Sequence, residues 1–277
     1  MNVNSVSGSP KALAVADKSS GIYPFMGVLF IVVAMLGFGP NSVGIVTGRI
    51  AVPPPIVHVH AALMASWLVL FLLQGSLMAR GHARIHKKLG LVSFALAPAM
   101  IVAMTVLTVA GFLRVVAAAD NPALDLSSQF VGRASVFALF VQGRAVILFG
   151  VFCVWAILAR RNATETHKRA MLMATFVLID ASLTRMNWLP GHPHGPFSAT
   201  DAGYDAMHAY HLLLMTPALI YDVAKRKAIH HAYVIGLGLY LSFVAITHYL
   251  WGSASWHAAV NSMVRGTVAS SGGWTGF

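Results

Sequence analysis

Long apolar runs alternate with short polar turns along most of this chain. Seven runs can be drawn as membrane-spanning helices, at about 22–39, 58–79, 89–113, 134–159, 169–189, 206–224 and 231–251. A helix needs roughly 20 apolar residues to cross the hydrocarbon core, and these runs meet or approach that length. The first run ends at Gly39-Pro40, a helix stop by its chemistry. Pro53-Pro54-Pro55 makes a stiff, extended approach to the second. Pro98 predicts a kink in the third. The expected fold is all-α: a polytopic transmembrane helix bundle of about seven spans.

Three turns between the runs are basic. They read Arg80-Gly-His-Ala-Arg84-Ile-His86-Lys87-Lys88, then Arg160-Arg161 through His167-Lys168-Arg169, then Lys225-Arg226-Lys227 through His230-His231. With Lys11 and Lys18 they hold thirteen of the 19 Lys and Arg, whereas the opposite side holds Arg49, Arg133 and Arg265, with Arg114 near a helix end. Basic turns stay in the cytoplasm, so the N-terminus is expected inside and the C-terminus outside. The domain plan is a cytoplasmic tail over 1–21, a seven-span domain over 22–251 and an outer-face tail over 252–277. Residues 1–20 lack the apolar core and small-residue cleavage site of a removed signal peptide. The turns also suggest repeated helical hairpins at 58–113, 134–189 and 206–251.

Composition agrees with lipid as the solvent. Apolar residues make up 57% of the chain and charged residues 10%, against about 25% charged in an ordinary soluble domain. The net charge of +11 sits in short turns between apolar runs, which is a topology signal and argues against nucleic acid as a partner. The expected partners are the lipid bilayer and other subunits of a membrane complex. Cys153 is the single cysteine, so no disulfide forms within the chain. The expected location is a bacterial inner (cytoplasmic) membrane, crossed several times.

Thirteen histidines are many for so apolar a chain, and the topology sorts them. His58, His60, His192, His194, His208, His211, His248 and His257 fall outside; His82, His86, His167, His230 and His231 fall inside. His60 and His82 are 22 residues apart, and His211 and His230 are 19 apart. At 1.5 Å per residue these are roughly 33 and 29 Å, too long for two haems stacked across a bundle. The outer set is the metal candidate: His58, His60, His208, His211 and His248. If the chain is still extended at His58, both His58 and His60 face one ion; if helical, they point about 200° apart. Asp205, His208 and His211, three apart, share a helix face in adjacent pairs. Neutral imidazoles suit copper, zinc, iron or haem b, and Met64 and Met215 offer soft sulfur for copper. Against this, such histidines also serve as interfacial side chains bonded to water, carbonyls or Tyr. The inner His82-x-x-x-His86 and His230-His231 are too few for a di-iron site.

Inside the runs, Arg144, Asp180 and Arg185 are the costly residues. An ionisable group at depth costs at least about 2–3 kcal/mol and therefore faces the bundle interior or water. An Asp180–Arg144 pair between antiparallel neighbours is expected, across an axial offset of roughly 9 Å. It would be either a proton or anion path or a buried structural pair. Gln74 and Gln142 are further inward polar positions. No Lys lies in the last run, and no phosphate loop, nucleophile elbow or haem-attachment motif occurs.

The stretch His60-Ala-Ala-Leu-Met-Ala-Ser-Trp67, with Gln74, Arg80 and His86-Lys-Lys-Leu-Gly90, resembles a family of uncharacterised bacterial polytopic inner-membrane proteins. His167-Lys-Arg-Ala-Met171 resembles their second turn, so the likeness covers roughly 56–190. It implies a helical membrane fold and no particular activity. Related four-helix families handle haem or assemble oxidases, which by resemblance alone would make His60 a haem contact. Two functions remain open on the sequence. One is a metal or haem site on the outer face for redox chemistry or metal handling. The other is a non-enzymatic membrane subunit or transporter that uses the Asp180/Arg144 pair.

Overall fold

The structure, a computed structural model, describes residues 21–121, 127–191 and 201–271. The expected tail over 1–20, His192 and His194 lie outside the described residues, as does the side chain of Asp205. Among the described residues every regular element is a helix. They run α1 (Ile22–Val46), α2 (Pro55–Ala79), α3 (Ala83–Leu89), α4 (Val92–Asp120), α5 (Ser128–Val136), α6 (Gly143–Ala159), α7 (Thr164–Phe176), α8 (Asp180–Leu183), α9 (Asp201–Leu213), α10 (Thr216–Arg226), α11 (His231–Gly252) and α12 (Ala254–Ser271). A π-helical segment, Phe137–Gln142, joins α5 to α6.

Five helical stretches are long and apolar enough to cross a membrane: Ile22–Val46, Pro55–Ala79, Ala83–Ala119, Ser128–Ala159 and His231–Gly252. Their apolar side chains are largely turned outward. Phe25, Val28, Val32, Met35 and Leu36 are exposed on α1, and Val234, Ile235, Leu241 and Ile246 on α11. Water would penalise such a surface, whereas lipid solvates it. The chain is thus a multi-pass membrane protein by its helices.

Several boundaries differ from expectation. α1 continues through Pro40 to Val46, beyond the predicted stop. A proline removes one rung of the helix, and the apolar stretch on both sides carries it through, as membrane helices allow. α2 begins at Pro55, with proline in the first turn where its missing N–H costs nothing. The runs 169–189 and 206–224 are not continuous helices. α7 ends at Phe176 before a turn over 177–179, and α9 ends at Leu213 before α10 starts at Thr216. Pro217 in the first turn of α10 accounts for the second break, since it cannot donate back into α9.

The core is built by α1, α2, α4, α6, α7 and α11 around Met26, Phe30, Trp67, Met100, Phe149, Phe152, Phe176 and Tyr240. α1 and α2 approach closely because each offers a glycine to the other. A Cβ at Gly27 would stand 3.1 Å from the Leu72 Cα, and one at Gly75 would stand 3.1 Å from the Pro24 nitrogen. The Trp67 indole N–H donates to the Thr175 hydroxyl at 3.1 Å, pinning α2 to α7. At the far end α12 closes a second small core with α4 and α5 through Val115, Ala119, Val131, Ala134, Val260 and Val264.

The three basic turns gather at one end of the bundle. The Arg160 guanidinium lies 5.3 Å from the Phe94 ring at the start of α4. Thr166 bonds His231 at 3.4 Å, which ties the second turn to the third. Gln74 links α2 to the first turn: with its amide turned to suit its neighbours, its nitrogen donates to His86 Nδ1 at 2.7 Å and its oxygen accepts from the Gly90 N–H at 2.9 Å.

Candidate functional site

A buried polar cluster occupies the middle of the bundle, and its helices are irregular where they supply it. Arg144 follows the π-helical segment by two residues. Asp180 opens α8 directly after the turn that ends α7. His208 and His211 sit in the last turns of α9, just before the Leu214–Met215 break. Only Tyr240, on α11, comes from an unbroken helix. Interrupted backbone inside a membrane bundle is tolerated where it is buried in protein or lines a polar site.

The contacts are specific. Arg144 donates through Nη2 to Asp180 Oδ2 and through Nη1 to His208 Nε2, the latter at 3.0 Å. Its guanidinium also lies 4.9 Å from the centre of the Tyr240 ring. His211 bonds the Phe176 carbonyl through Nε2 at 2.8 Å and the Tyr240 hydroxyl through Nδ1 at 2.6 Å. A carbonyl oxygen only accepts, so Nε2 carries the proton and Nδ1 accepts from Tyr240 O–H. The same logic leaves His208 Nε2 unprotonated toward Arg144. The Phe176 ring stacks on His211 with centroids 4.0 Å apart. Within the cluster, Asp180 Oδ1 is a buried acceptor with no hydrogen-bond donor, and it stands 3.6 Å from His211 Nδ1. Arg144, Asp180, His208 and His211 are all buried.

A second network sits at the basic end. Arg169 engages both carboxylate oxygens of Asp222, Nε to Oδ2 at 3.0 Å and Nη2 to Oδ1, and reaches Glu165 Oε2 at 2.6 Å. Asp222 Oδ2 also accepts the His230 backbone N–H at 3.0 Å. Burial alone would raise the Glu165 carboxyl, but bonds to Lys168 and Arg169 and their charges outweigh it and hold the group below its usual range. His230 caps α11, its Nδ1 accepting the Ala232 N–H at 3.1 Å. Burial, with the nearby Arg169, His231 and Arg226 charges, pushes His230 down to about 4, and Asp222 offsets only part of this. Sequence reading took Arg169 as a topology charge and passed over Asp222. The available signal was that the chain has only eight acidic residues and Asp222 is alone in the run 206–224.

The other predicted positions are scattered. His58 is exposed and His60 half-buried on α2. Because α2 is already helical at Pro55, they point about 200° apart, and the extended arrangement that would aim both at one ion is not formed. His248 is exposed on α11. Arg185 is exposed, donating to the Ala181 carbonyl at 2.5 Å with its guanidinium 4.4 Å from the Phe38 ring. Gln74 serves the first basic turn. Of the five histidines considered for metal, the structure brings His208 and His211 into the polar cluster. Among the described residues, no group of three or more His, Cys, Asp or Glu side chains is arranged to hold a metal ion. Compared with protein families, curated proteins and solved structures, the chain matches none.

Proposed function

We propose that the protein is an inner-membrane transporter or ion-conducting subunit whose working site is the Arg144–Asp180–His208–His211–Tyr240 cluster. One observation carries the reading. Three of the elements that supply the cluster are interrupted beside it: the π-helical segment precedes Arg144, the turn over 177–179 precedes Asp180, and the break at 214–215 follows His211. A purely structural ion pair needs no such interruption. Interrupted helices meeting at a buried charged pair are what a site for a passing ion requires.

In this proposal the chain crosses a bacterial inner membrane about seven times. The five long stretches are joined by the broken pairs α7–α8 and α9–α10, which act as interrupted spans. The clustering of the basic turns supports a cytoplasmic location for that end. The N-terminus then lies inside and the C-terminus outside, with partner subunits of a membrane complex around the bundle.

The rival proposal is a copper, zinc, iron or haem b site for redox chemistry or metal handling. It is favoured by His208 and His211 lying one turn apart in the cluster. It requires His211 to release Tyr240 or Phe176, and His208 to release Arg144 if it ligates through Nε2.

Purified protein in sealed vesicles, with a pH- or anion-sensitive dye trapped inside, tests the leading reading. Wild type moves protons or a small anion down an imposed gradient, and Asp180→Asn and Arg144→Gln lose at least tenfold of that rate. No flux from folded wild type removes the reading. An absorption spectrum and metal analysis of the same preparation test the rival: bound metal or haem lost on His211→Ala favours it, and a colourless, metal-free protein removes it.

A further inference from the structure

The three basic turns are not equivalent. Arg80, Arg84, Lys87 and Lys88 in the first turn and Arg160 and Arg161 in the second are exposed. Among the described residues, none of these six has a carboxylate partner. Glu165 and Asp222, the carboxylates described at this end of the bundle, are engaged by Lys168, Arg169 and Arg226. Negative charge is thus gathered toward the third turn. The side made by the first turn and the head of the second keeps all of its positive charge.

These charges also converge. The Arg160 guanidinium, at the end of α6, stands 5.3 Å from the centre of the Phe94 ring, in the first turn of α4. Just before α4 comes α3, which carries Arg84, Lys87 and Lys88 on one helix face. His86 on α3 feels the charge of His167 in the second turn, so the two turns are neighbours in space. Beside the cations the surface is apolar: Ile85, Leu91, Val92, Phe94 and Leu158 are exposed. A soluble acidic partner would meet the charges and leave this apolar surface bare. A lipid answers both, with phosphate on the cations and acyl chains on the apolar side chains. Six cations are also more than one singly charged phosphate can neutralise.

We propose that this face binds an anionic phospholipid with two phosphates on one headgroup, drawn from the leaflet at the basic end of the bundle. Arg160 takes one phosphate, its guanidinium held against the Phe94 ring at the edge of the bundle. Arg84, Lys87 and Lys88 on α3 take the other. The acyl chains descend over Leu91, Phe94 and Leu158. The lipid thereby ties the first turn to the second, as the Arg169–Asp222 pair ties the second to the third. This site lies outside the buried cluster and does not depend on what passes through it.

The test uses the whole protein, purified in detergent micelles. Native mass spectrometry counts lipid adducts after addition of cardiolipin, phosphatidylglycerol or phosphatidylethanolamine at equal phosphate concentration. The expected result is cardiolipin bound about tenfold or more tightly than phosphatidylglycerol, with phosphatidylethanolamine weaker still. Arg84→Gln, Lys87→Gln and Arg160→Gln together should weaken cardiolipin by about tenfold or more. Lys225→Gln with Lys227→Gln, which remove exposed cations of the third turn, should weaken it by less than about threefold. All five side chains are exposed, and circular dichroism checks that the helices are kept. Wild type that binds phosphatidylglycerol as tightly as cardiolipin, or binds neither, overturns the proposal without any variant. Equal losses from the two sets of changes also overturn it, because any basic turn would then serve. Every outcome is read without ion flux, so a protein that moves no ion removes the transport reading and leaves this one standing.

Discussion

Arg169 on α7 grips both carboxylate oxygens of Asp222 on α10, and both side chains are buried. The pair joins two helices that the chain separates by 53 residues. Removing Asp222 leaves the buried Arg169 with only the more exposed Glu165 as a carboxylate partner, which costs about 3 kcal/mol, the lower end for a broken buried pair. Asp222→Leu is therefore expected to lower the unfolding free energy by that amount, measured by denaturant titration in mixed micelles. Arg169→Met/Asp222→Leu together should cost less than the sum of the single changes. Additive losses would mean the two residues do not act as a pair.

The same end of the bundle has a pH dependence. His230 accepts a hydrogen bond at Nδ1 and is pushed down to about 4 in the folded protein, while the unfolded chain takes up its proton near 6.5. Between those values the unfolded state binds more protons, so stability falls as pH falls. The slope approaches about 1.4 kcal/mol per pH unit in that window. His230→Asn keeps a capping side chain and cannot titrate, so its melting temperature should vary less from pH 6.5 to 4 than wild type. Parallel curves for the two proteins would show that His230 is not the group responsible.

Gly37 on α1 faces the backbone of Ser182 on α8. A Cβ there would stand 2.8 Å from the Ser182 Cα and closer still to its carbonyl oxygen. Backbone cannot step aside as a flexible side chain can. Gly37→Ala should destabilise by about 1–3 kcal/mol, despite alanine being the better helix former. Gly238→Ala is the control, since a Cβ there meets nothing within 4 Å. It should be neutral or slightly stabilising in the same thermal melts.

Trp67 and Thr175 form the one polar tie described between α2 and α7, at 3.1 Å. Thr175→Val keeps the shape and leaves the buried indole N–H without an acceptor. The expected loss is about 1–3 kcal/mol, with a changed tryptophan emission maximum. Trp67→Phe in that background should recover part of the loss. No recovery would mean that shape at position 175 matters more than the hydrogen bond.

The sequence by itself determined the solvent of this protein and the framework within it. Apolar run length, scarce charge and basic turns are local quantities, and they located the five long helical stretches to within a few residues at most of their ends. The burial of Arg144 and Asp180 was legible for the same reason, because a charge inside an apolar run is expensive unless it faces the bundle interior. Tertiary structure decided the rest. The breaks after Phe176 and Leu213 follow from which carbonyls and side chains meet across helices; Phe176 gives its carbonyl to His211, 35 residues away. The passage of α1 through Pro40 depends on its neighbours, as does the docking of α12 onto α4 and α5. Which histidines gather was also beyond local reading. His58 and His60 turn on a helix start that moved by three residues, and His208 and His211 turn on Arg144 and Tyr240 arriving from other helices. Burial and pairing are properties of a contact between distant parts of the chain, and hydrophobic pattern carries no record of the partner.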